Sequence, residues 1–510
     1  MSARRGATRP PYARRVSGRR RVTALLLVAT VVAAGGCTRR VTARPTPVPS
    51  SQPPVAADLG SGRSDPVADP LYPGRGDADL DVLHYDLALA WAPGTATLTG
   101  TATLTIRAVR PVRTLSLDFG HWYTVDGATV NGTAATATLN PADKLTAPVA
   151  LAADAVATFV LRYHGQPHEV PMPSGRADAQ EGLGLRAEPA GEAWTMQEPY
   201  GAFTWYPVND IPSDKARYDL HVTVPAGWSA VASGEFAGQT HRPDGDTFAW
   251  HGSYPQASYL TTLAIGHYAR LDETGPHGLP VTVWTRAGTD DALVQPLRQI
   301  PAMLGWLESR FGRYPFPAAG VVTVASVSAM ETQEMITLGG LVARSADSQR
   351  PVYLQQVILH ELSHQWFGDA VTPRDWRGLW LNEGFATWVQ FQWEIEHDQL
   401  TKQYWMDAAL KEDGDLRRQF GPPGAPDARH FAEHNVYTSP ALLLQAIHDR
   451  IGDTAFLALL RDWAQQHRGA SVDRAEFTAF ANRHTGQDLT PLIDAWLDSP
   501  TTPPAALGGR

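Results

Sequence analysis

The sequence predicts a multidomain β + α/β protein, in which a large all-β domain precedes a mainly helical domain. The main observation is a change of period. Apolar residues alternate with polar or small ones from about Asp81 to Tyr268, and they recur every three or four residues after about Leu271. The length agrees with this division, because 510 residues, of which 43% are hydrophobic, can build two to four domains with cores of their own.

The all-β domain is predicted at residues 77–270. Short runs of period-two alternation follow one another there, and turn residues such as Asn131-Gly132 separate them. No long helical stripe interrupts these runs, which favours a domain built from strands alone. The alternating apolar positions are Tyr85, Leu87, Leu89, Trp91, Ala102, Leu104, Ile106, Leu115, Leu117, Phe119, Phe159, Leu161, Tyr163, Tyr218, Leu220, Val222 and Val224.

The helical domain is predicted at residues 271–499, with a short strand near Val321 and a loose tail at residues 500–510. Pro296 and Pro301 interrupt its first stripe and indicate a kink or a later helix start. Further on, Asp473 and Glu476 form the sequence pattern of a helix capping box. The first helical stripe consists of Leu293, Leu297, Ile300, Leu304, Leu307 and Phe311.

The charge distribution argues against nucleic acid as a partner. The formal net charge is -9, and residues 1–44 hold eleven Arg and no acidic residue, so the rest of the chain is strongly acidic. Binding to phosphates requires a basic face, which such a body does not offer. The only cysteine is Cys37, which excludes intrachain disulfides and cysteine-based metal sites.

Residues 1–36 are predicted to be an export signal. A basic region precedes an uncharged run that is too short for a comfortable membrane span, and the run ends at Cys37 after small residues. This end resembles a bacterial lipobox, so we expect lipid attachment at Cys37 and anchoring to the outer face of the bacterial cell membrane. The alternative is a secreted protein with an incidental cysteine. Residues 37–76, rich in Pro, Thr and Ser, are predicted to be an extended tether.

The strongest chemical signal is the pentapeptide His360-Glu361-Leu362-Ser363-His364. Residues four apart share one face of a helix, so His360 and His364 can direct two imidazoles at one metal ion. Glu383 follows after eighteen residues, where a second helix can bring a carboxylate to the same ion. Two His, one carboxylate and an open fourth position is the arrangement of catalytic zinc, so we predict one Zn²⁺ per chain.

These motifs resemble a known family. HELSHQWFGD followed by WLNEGFATW is similar to the zinc aminopeptidases of the aminopeptidase N type, which have a saddle-shaped β domain before a thermolysin-like catalytic domain. HYDLALAW and WYPVNDIPSDKARYDLHVTVP resemble two stretches of the β domain of that family. The resemblance extends over about residues 71–498, and it implies that peptides with a free N-terminus are the substrates.

The resemblance also implies roles in catalysis. His360, His364 and Glu383 would bind zinc, and Glu361 would be the general base that takes a proton from the zinc-activated water. Asn435-Val436-Tyr437 is similar to the segment that carries the catalytic tyrosine of the family. Tyr437 would donate a hydrogen bond to the oxyanion that forms during hydrolysis of the N-terminal peptide bond.

Substrate-binding residues follow from the same resemblance. Ser328-Ala329-Met330-Glu331-Thr332 is similar to an exopeptidase motif usually read Gly-Ala-Met-Glu-Asn, with Ser and Thr as the two departures. Glu331 would hold the α-amino group, and Ala329 and Met330 would supply backbone contacts. Gln197, in Met196-Gln197-Glu198-Pro199, would help to hold the amine. Glu334 either adds negative potential near the amine or is a surface charge.

Three other functions remain open at this point. An endopeptidase could use the same zinc motif, but Glu331 would then have no clear purpose. A non-catalytic surface protein could keep the fold for binding, although such proteins usually lose the base or a ligand. A relative of this family hydrolyses a lipid epoxide with the same kind of zinc site, and nothing in the sequence selects for that reaction. The sequence leaves the oligomeric state and the preferred N-terminal residue open.

Overall fold

The structure is a computed structural model that describes residues 59–289, 291–341 and 353–504. The predicted export signal, Cys37 and the first part of the predicted tether lie outside the described residues, as does the end of the predicted tail. Within the described ranges, no helix has both the length and the apolar character needed to cross a membrane.

The last part of the predicted tether differs from the expectation, because it packs on the folded chain. Asp69 is 1% exposed, and its carboxylate accepts hydrogen bonds from the backbone N–H groups of Tyr72 and Trp376 at 2.9 and 2.7 Å. The Tyr72 hydroxyl donates to the backbone carbonyl of Ala428. These hydrogen bonds produce no apolar periodicity in the sequence. The tether prediction therefore included residues, such as Asp69, that belong to the folded chain.

The N-terminal half is all-β, as its alternating sequence predicts. The buried residues of its first strand include Tyr85, Leu87, Leu89 and Trp91, and all four belong to one large apolar core. The described residues of this half form the strands β1 (Leu80–Ala92), β2 (Thr97–Ala108), β3 (Val112–Asp118), β4 (Thr124–Val130), β5 (Thr133–Ala135), β6 (Thr138–Leu139), β7 (Lys144–Leu151), β8 (Val156–Gly165), β9 (Gly184–Ala187), β10 (Ala193–Met196), β11 (Lys215–Val224), β12 (Ser229–Ala232), β13 (Glu235–Arg242), β14 (Gly245–Ala257) and β15 (Leu263–Gly266).

These strands form three sheets in the described part of this half. The largest has eight strands in the order β13-β14-β11-β1-β2-β8-β4-β5, and a smaller one has the order β3-β7-β6. Within the large sheet, β1 and β11 pair in parallel although more than a hundred residues separate them in the chain. The third sheet has the order β12-β15-β10-β9. Its strand β10 ends at Met196, directly before Gln197 and Glu198.

A five-stranded sheet begins the second half. Its strands are β16 (Tyr268–Thr274), β17 (Pro280–Arg286), β18 (Ala319–Val324), β19 (Ala329–Met330) and β20 (Ile336–Gly339), in the order β16-β17-β18-β20-β19. The predicted domain boundary at residues 270 and 271 therefore falls within β16. Strand β19 lies at one edge of the described sheet, so an extended peptide could pair alongside it.

Helices build most of the remaining chain. The predicted interruption near Pro296 and Pro301 corresponds to two separate helices, and the capping box of Asp473 and Glu476 is present with both of its hydrogen bonds. The elements are α1 (Asp291–Leu297), α2 (Ile300–Phe311), α3 (Tyr353–His364), α4 (Trp380–Glu396), α5 (Lys402–Phe420), α6 (Asn435–Ile451), α7 (Asp453–Gln466), α8 (Arg474–Thr485) and α9 (Thr490–Asp498), with a short pair of strands, β21 (Thr372–Pro373) and β22 (Ser471–Val472).

Two apolar cores meet beside the predicted site. The helical core holds the inner faces of α3, α4, α6 and α7. The β-domain core extends across the boundary, since Trp376, Phe431 and Val436 of the second half pack into it together with Met330. Segments from both halves are therefore fixed against each other around the zinc-motif helix.

Candidate metal centre

The three predicted metal ligands converge. His360 and His364 lie one turn apart near the end of α3, and Glu383 lies in the first turn of α4. The Nε2 atoms of His360 and His364 are 3.2 and 3.4 Å from Oε2 of Glu383, and one donor atom of each residue lies within 4.8 Å of the other two. No other group of three or more such side chains converges in this way among the described residues.

The local sequence explains this convergence. On α3 the apolar residues Leu359 and Leu362 pack into the helical core, which turns the histidine face toward α4. Phe385 packs into the same core from α4. Because both helices are anchored by buried apolar side chains, the separation of their polar faces is fixed by packing.

The surroundings of the two imidazoles determine which ring nitrogen is available to a metal. The carbonyl oxygen of Phe367 lies 3.1 Å from Nδ1 of His364, and a carbonyl can only accept, so Nδ1 carries the proton. Nε2 of His364, which lies 3.4 Å from Oε2 of Glu383, is then the nitrogen left to bind a metal, which is the usual outer-shell arrangement of metal-binding histidines. Burial lowers the pKa of His360 and so favours the neutral imidazole that a metal requires.

Glu383 carries the negative charge that a carboxylate ligand needs in order to bind a metal. Burial alone would raise the pKa of Glu383, but the close contacts with the His360 and His364 imidazoles and their charges outweigh it, and the pKa is lowered. The residue is therefore ionised at neutral pH. Two imidazole nitrogens and one carboxylate oxygen, without a thiolate, match the donor set of an open catalytic zinc site.

Glu361 lies beside the ligands without being one. Its side chain is buried next to His360, and burial raises its pKa to about 8, with the carboxylates of Glu331 and Glu383 adding to the effect and His364 opposing it. A carboxyl group whose pKa lies near neutrality can exchange a proton with a reacting group at the pH where enzymes work. The position suits a general base, and a cation held by the neighbouring ligands would lower this pKa and favour the ionised carboxylate that a base requires.

A second cluster of carboxylates faces the metal ligands. Glu331 follows strand β19 and is 3% exposed, and its Oε1 has no hydrogen-bond partner in the described part of the chain. Oε1 of Glu198 is likewise buried and without a partner there. Burial raises the pKa of both groups, and the charge of Glu331 raises that of Glu198 further. Two neighbouring carboxylates, each with a buried oxygen that has no partner, are stabilised by a cation.

Gln197 does not belong to this cluster, which corrects its predicted role. Its amide nitrogen donates to the backbone carbonyls of Ser258 and Thr261 at 2.9 and 2.7 Å, and its amide oxygen accepts from Nε1 of Trp205. The side chain is fully buried in the β domain and its polar atoms are satisfied there. The neighbouring residue Glu198, which the sequence did not single out, takes the position at the site.

The remaining predicted groove residues lie beside Glu331. Ala329 and Met330 form β19, the edge strand, and Met330 is buried while Ala329 is half-buried. Glu334 is not a surface charge, because it is 1% exposed. Burial raises its pKa, the carboxylate of Glu235 raises it further, and Arg468 opposes the shift.

Tyr437 closes the site from helix α6. Its ring is nearly parallel to that of His360, with centroids 6.1 Å apart and an angle of 20°. Its hydroxyl oxygen accepts a hydrogen bond of 2.9 Å from Nη1 of Arg176, a residue of the β domain. Sequence reasoning missed Arg176, and no local pattern marks it, because it lies in an irregular segment far from the zinc motif.

Known proteins share both the sequence and the architecture. Residues 296–496 match the peptidase family M1 domain. A two-domain M1 zinc metallopeptidase variant with bound L-arginine is 30% identical, with 86% of this chain and 99% of that chain covered and a TM-score of 0.77. The chain belongs to peptidase family M1. The zinc of this family agrees with the donor set of His360, His364 and Glu383, so the metal of the centre is Zn²⁺.

Two further similar proteins differ in length. An M1 zinc metallopeptidase variant from Deinococcus radiodurans, solved with a Tyr-Ser-Ala substrate, is 29% identical over 86% of this chain and 99% of that chain, with a TM-score of 0.75. Aminopeptidase 2 of Candida albicans is 24% identical over 332 residues. That match covers 60% of this chain and only 35% of the longer relative.

Proposed function

We propose that this M1 protein is a zinc-dependent aminopeptidase that hydrolyses the N-terminal peptide bond of peptides. The observation that carries the proposal is the pair of carboxylates of Glu198 and Glu331 beside the metal ligands, each with a buried Oε1 that has no partner among the described residues. A substrate ammonium group would satisfy both. A peptide anchored there by its N-terminus presents its first peptide bond to the metal centre, whereas an internal segment has no cation for this position.

The residues of the chain divide the work of hydrolysis. Bound Zn²⁺ supplies Lewis-acid chemistry at the carbonyl and lowers the pKa of water. Glu361 takes the proton of the attacking water and delivers it to the leaving nitrogen. Tyr437 donates its hydroxyl proton in a hydrogen bond to the carbonyl oxygen as negative charge develops, a contact that is typically worth about 3 to 4 kcal/mol of barrier. Glu198 and Glu331 hold the amine in place.

The other candidate functions fit these observations less well. An endopeptidase would leave the two buried carboxylates without a partner in its substrate complex, at a cost of about 1 to 3 kcal/mol or more for each. A non-catalytic binding protein would have no use for a buried general base at a complete ligand set. An epoxide hydrolase would not need an ammonium site.

Turnover of matched substrates tests the proposal. We expect hydrolysis of aminoacyl-nitroanilides and of short peptides, and a loss of kcat of roughly 10²- to 10⁴-fold in the Glu361→Gln variant with zinc content unchanged. N-acetylation removes the ammonium group and should lower kcat/KM by about 100-fold or more. Equal cleavage of the acetylated and free peptides would exclude an aminopeptidase, and equal turnover by Glu361→Gln would exclude its role as base.

We also propose that the protein is an exported lipoprotein held at the membrane through Cys37. The support is the sequence alone: a basic region, an uncharged run and a single cysteine after small residues. Expressed in a bacterial host, the wild type should fractionate with membranes and carry diacylglycerol on an N-terminal Cys37. The Cys37→Ser variant should lose that modification, as judged by mass spectrometry. A wild-type chain whose cysteine is unmodified would contradict the proposal.

A further inference from the structure

A short segment of the β domain, which we call the bridging segment (residues 174–181), is tied to the catalytic half at both ends. At its start, the backbone N–H of Gly175 donates to Oε1 of Glu433 at 2.8 Å. At its end, Oε1 of Glu181 accepts from the backbone N–H of Val327 at 3.0 Å. The segment therefore connects the residues just before α6, the helix of Tyr437, to the residues just before β19, and its own geometry is fixed by both contacts.

Arg176 lies within this bridging segment and makes a bidentate ion pair with Asp178. Its Nε and Nη2 donate to the two carboxylate oxygens of Asp178 at 3.0 and 2.7 Å. Its Nη1 donates to the backbone carbonyl of Ala432 at 3.0 Å and to the Tyr437 hydroxyl at 2.9 Å. Asp178 in turn accepts from the hydroxyl of Ser328 at 2.8 Å. A chain of hydrogen bonds thus runs from Ser328, just before β19, to the tyrosine.

This geometry restricts the Tyr437 hydroxyl. A guanidinium has no acceptor, so the bond from Arg176 occupies a lone pair of the phenol oxygen and directs its O–H away from the arginine. The tyrosine ring lies beside the ring of His360, on the side of the metal ligands. The charge-assisted bond also polarises the phenol, and chains of hydrogen bonds strengthen one another.

We propose that Arg176 is a positioning residue: it holds the Tyr437 hydroxyl in the orientation that donates to the substrate oxyanion, and Asp178 fixes Arg176 for that purpose. This inference rests on the proposed aminopeptidase function. The guanidinium does not act as a free cation for the substrate's terminal carboxylate, because Asp178 neutralises it and its Nε, Nη1 and Nη2 atoms already donate to protein partners.

A double-mutant cycle with an aminoacyl-nitroanilide, a substrate without a terminal carboxylate, tests this role. Arg176→Met should lower kcat about 10- to 100-fold, the range expected for losing a hydrogen bond from a charged group, with less than about a threefold change in KM. In the Tyr437→Phe background, where no hydroxyl remains to be oriented, adding Arg176→Met should change kcat less than about twofold. Zinc content and the thermal midpoint are measured for each variant.

Two further variants keep the test decisive. Arg429→Met is the matched control, because Arg429 makes the same kind of bidentate ion pair with Asp427 on the surface and has no contact with Tyr437 among its described contacts. It should leave kcat unchanged. If Arg176→Met does not fold, Asp178→Asn replaces it, with a smaller loss of kcat that is again absent in the Tyr437→Phe background.

The outcomes separate this role from the proposed function. Equal losses of kcat from Arg176→Met in the wild type and in the Tyr437→Phe background would mean that Arg176 has only a structural role and would overturn the inference. A rise in KM confined to peptides with a free terminal carboxylate would make it a carboxylate-binding residue and would overturn it as well. A wild type that hydrolyses no aminoacyl substrate would overturn the proposed function and this inference together.

Discussion

The site has a metal side, which consists of the three zinc ligands, and a substrate side, which consists of Glu198, Glu331, Arg176 and Tyr437. The two sides are built in different ways. His360, His364 and Glu383 come from two consecutive helices, and 23 residues separate the first from the last. The groups that face them come from distant segments, and 261 residues separate Arg176 from Tyr437. The metal side depends on one local packing contact. The substrate side depends on how the β domain sits on the catalytic half, so selectivity can change without any change in the zinc motif.

Metal removal should give the largest effect and shows whether the metal side is independent. Dialysis against a chelator should abolish turnover, and Zn²⁺ alone should restore it. Because a ligand present at about 1,000 times its Kd stabilises the native state by about 4 kcal/mol, the thermal midpoint should fall without loss of helix and strand content at about 25 °C. Metal content, turnover and circular dichroism measure these changes.

An apo protein that loses its β structure at room temperature would contradict this independence, since the substrate side would then require the metal for its own fold. Magnesium serves as the control ion. It prefers oxygen ligands in octahedral geometry and should not restore turnover at a site with two imidazoles.

The sequence predicts the metal side almost completely, for a physical reason. Helical periodicity alone places His360 and His364 on one face, and the next helix brings Glu383 within reach. The strands of the β domain follow from alternation in the same way. What alternation does not supply is the parallel pairing of β1 with β11, because that contact depends on residues far apart in sequence.

The substrate side shows where sequence reasoning stops. Gln197 follows the last residue of β10 and Glu198 lies in the bend after it, so an error of one residue exchanges the core for the site. This is what separates Gln197, satisfied inside the β domain, from Glu198, unpaired beside Glu331. Arg176 lies in a segment without periodicity, and its role depends on contacts that only the folded chain creates.

Substitutions at these two adjacent positions should affect different properties, catalysis at Glu198 and stability at Gln197. Glu198→Gln keeps the size and removes the charge, so we expect kcat/KM for free-amine substrates to fall about 10- to 100-fold with little change in stability. Gln197→Met keeps the volume and leaves the indole N–H of Trp205 without its partner, which should lower the free energy of unfolding by about 1 to 3 kcal/mol. Steady-state kinetics and denaturant unfolding separate the two outcomes.

The assignment of Glu198 to the site and of Gln197 to the core would be wrong if the kinetic and stability results were exchanged between the two variants. A large loss of kcat/KM in a well-folded Gln197→Met variant, together with normal kinetics of Glu198→Gln, would restore Gln197 as the amine-binding residue. N-acetylated substrates provide the internal control, because the Glu198 charge has no ammonium partner there and its removal should not lower their residual turnover.

Substitutions at Ser328 should give the smallest effect, and they test how far the substrate side extends from the reacting groups. The hydroxyl donates to Asp178 at 2.8 Å, while Asp178 keeps both bonds from Arg176 when the hydroxyl is absent. Ser328→Ala should therefore lower kcat only about 2- to 5-fold, in line with one hydrogen bond of modest net value. Ser328→Gly, which restores the usual residue of the family motif, should lose the same factor.

The pair of variants separates the hydroxyl from the backbone. Glycine adds conformational freedom to the unfolded chain, which typically costs about 0.4 to 1 kcal/mol relative to alanine, so Ser328→Gly should be slightly less stable than Ser328→Ala at the same kcat. If alanine left kcat at the wild-type value and glycine alone lowered it, backbone freedom just before β19 would be the cause. The chain of hydrogen bonds to Tyr437 would then begin at Asp178, within the β domain, and residues 328–332 would contribute only Glu331 and their backbone.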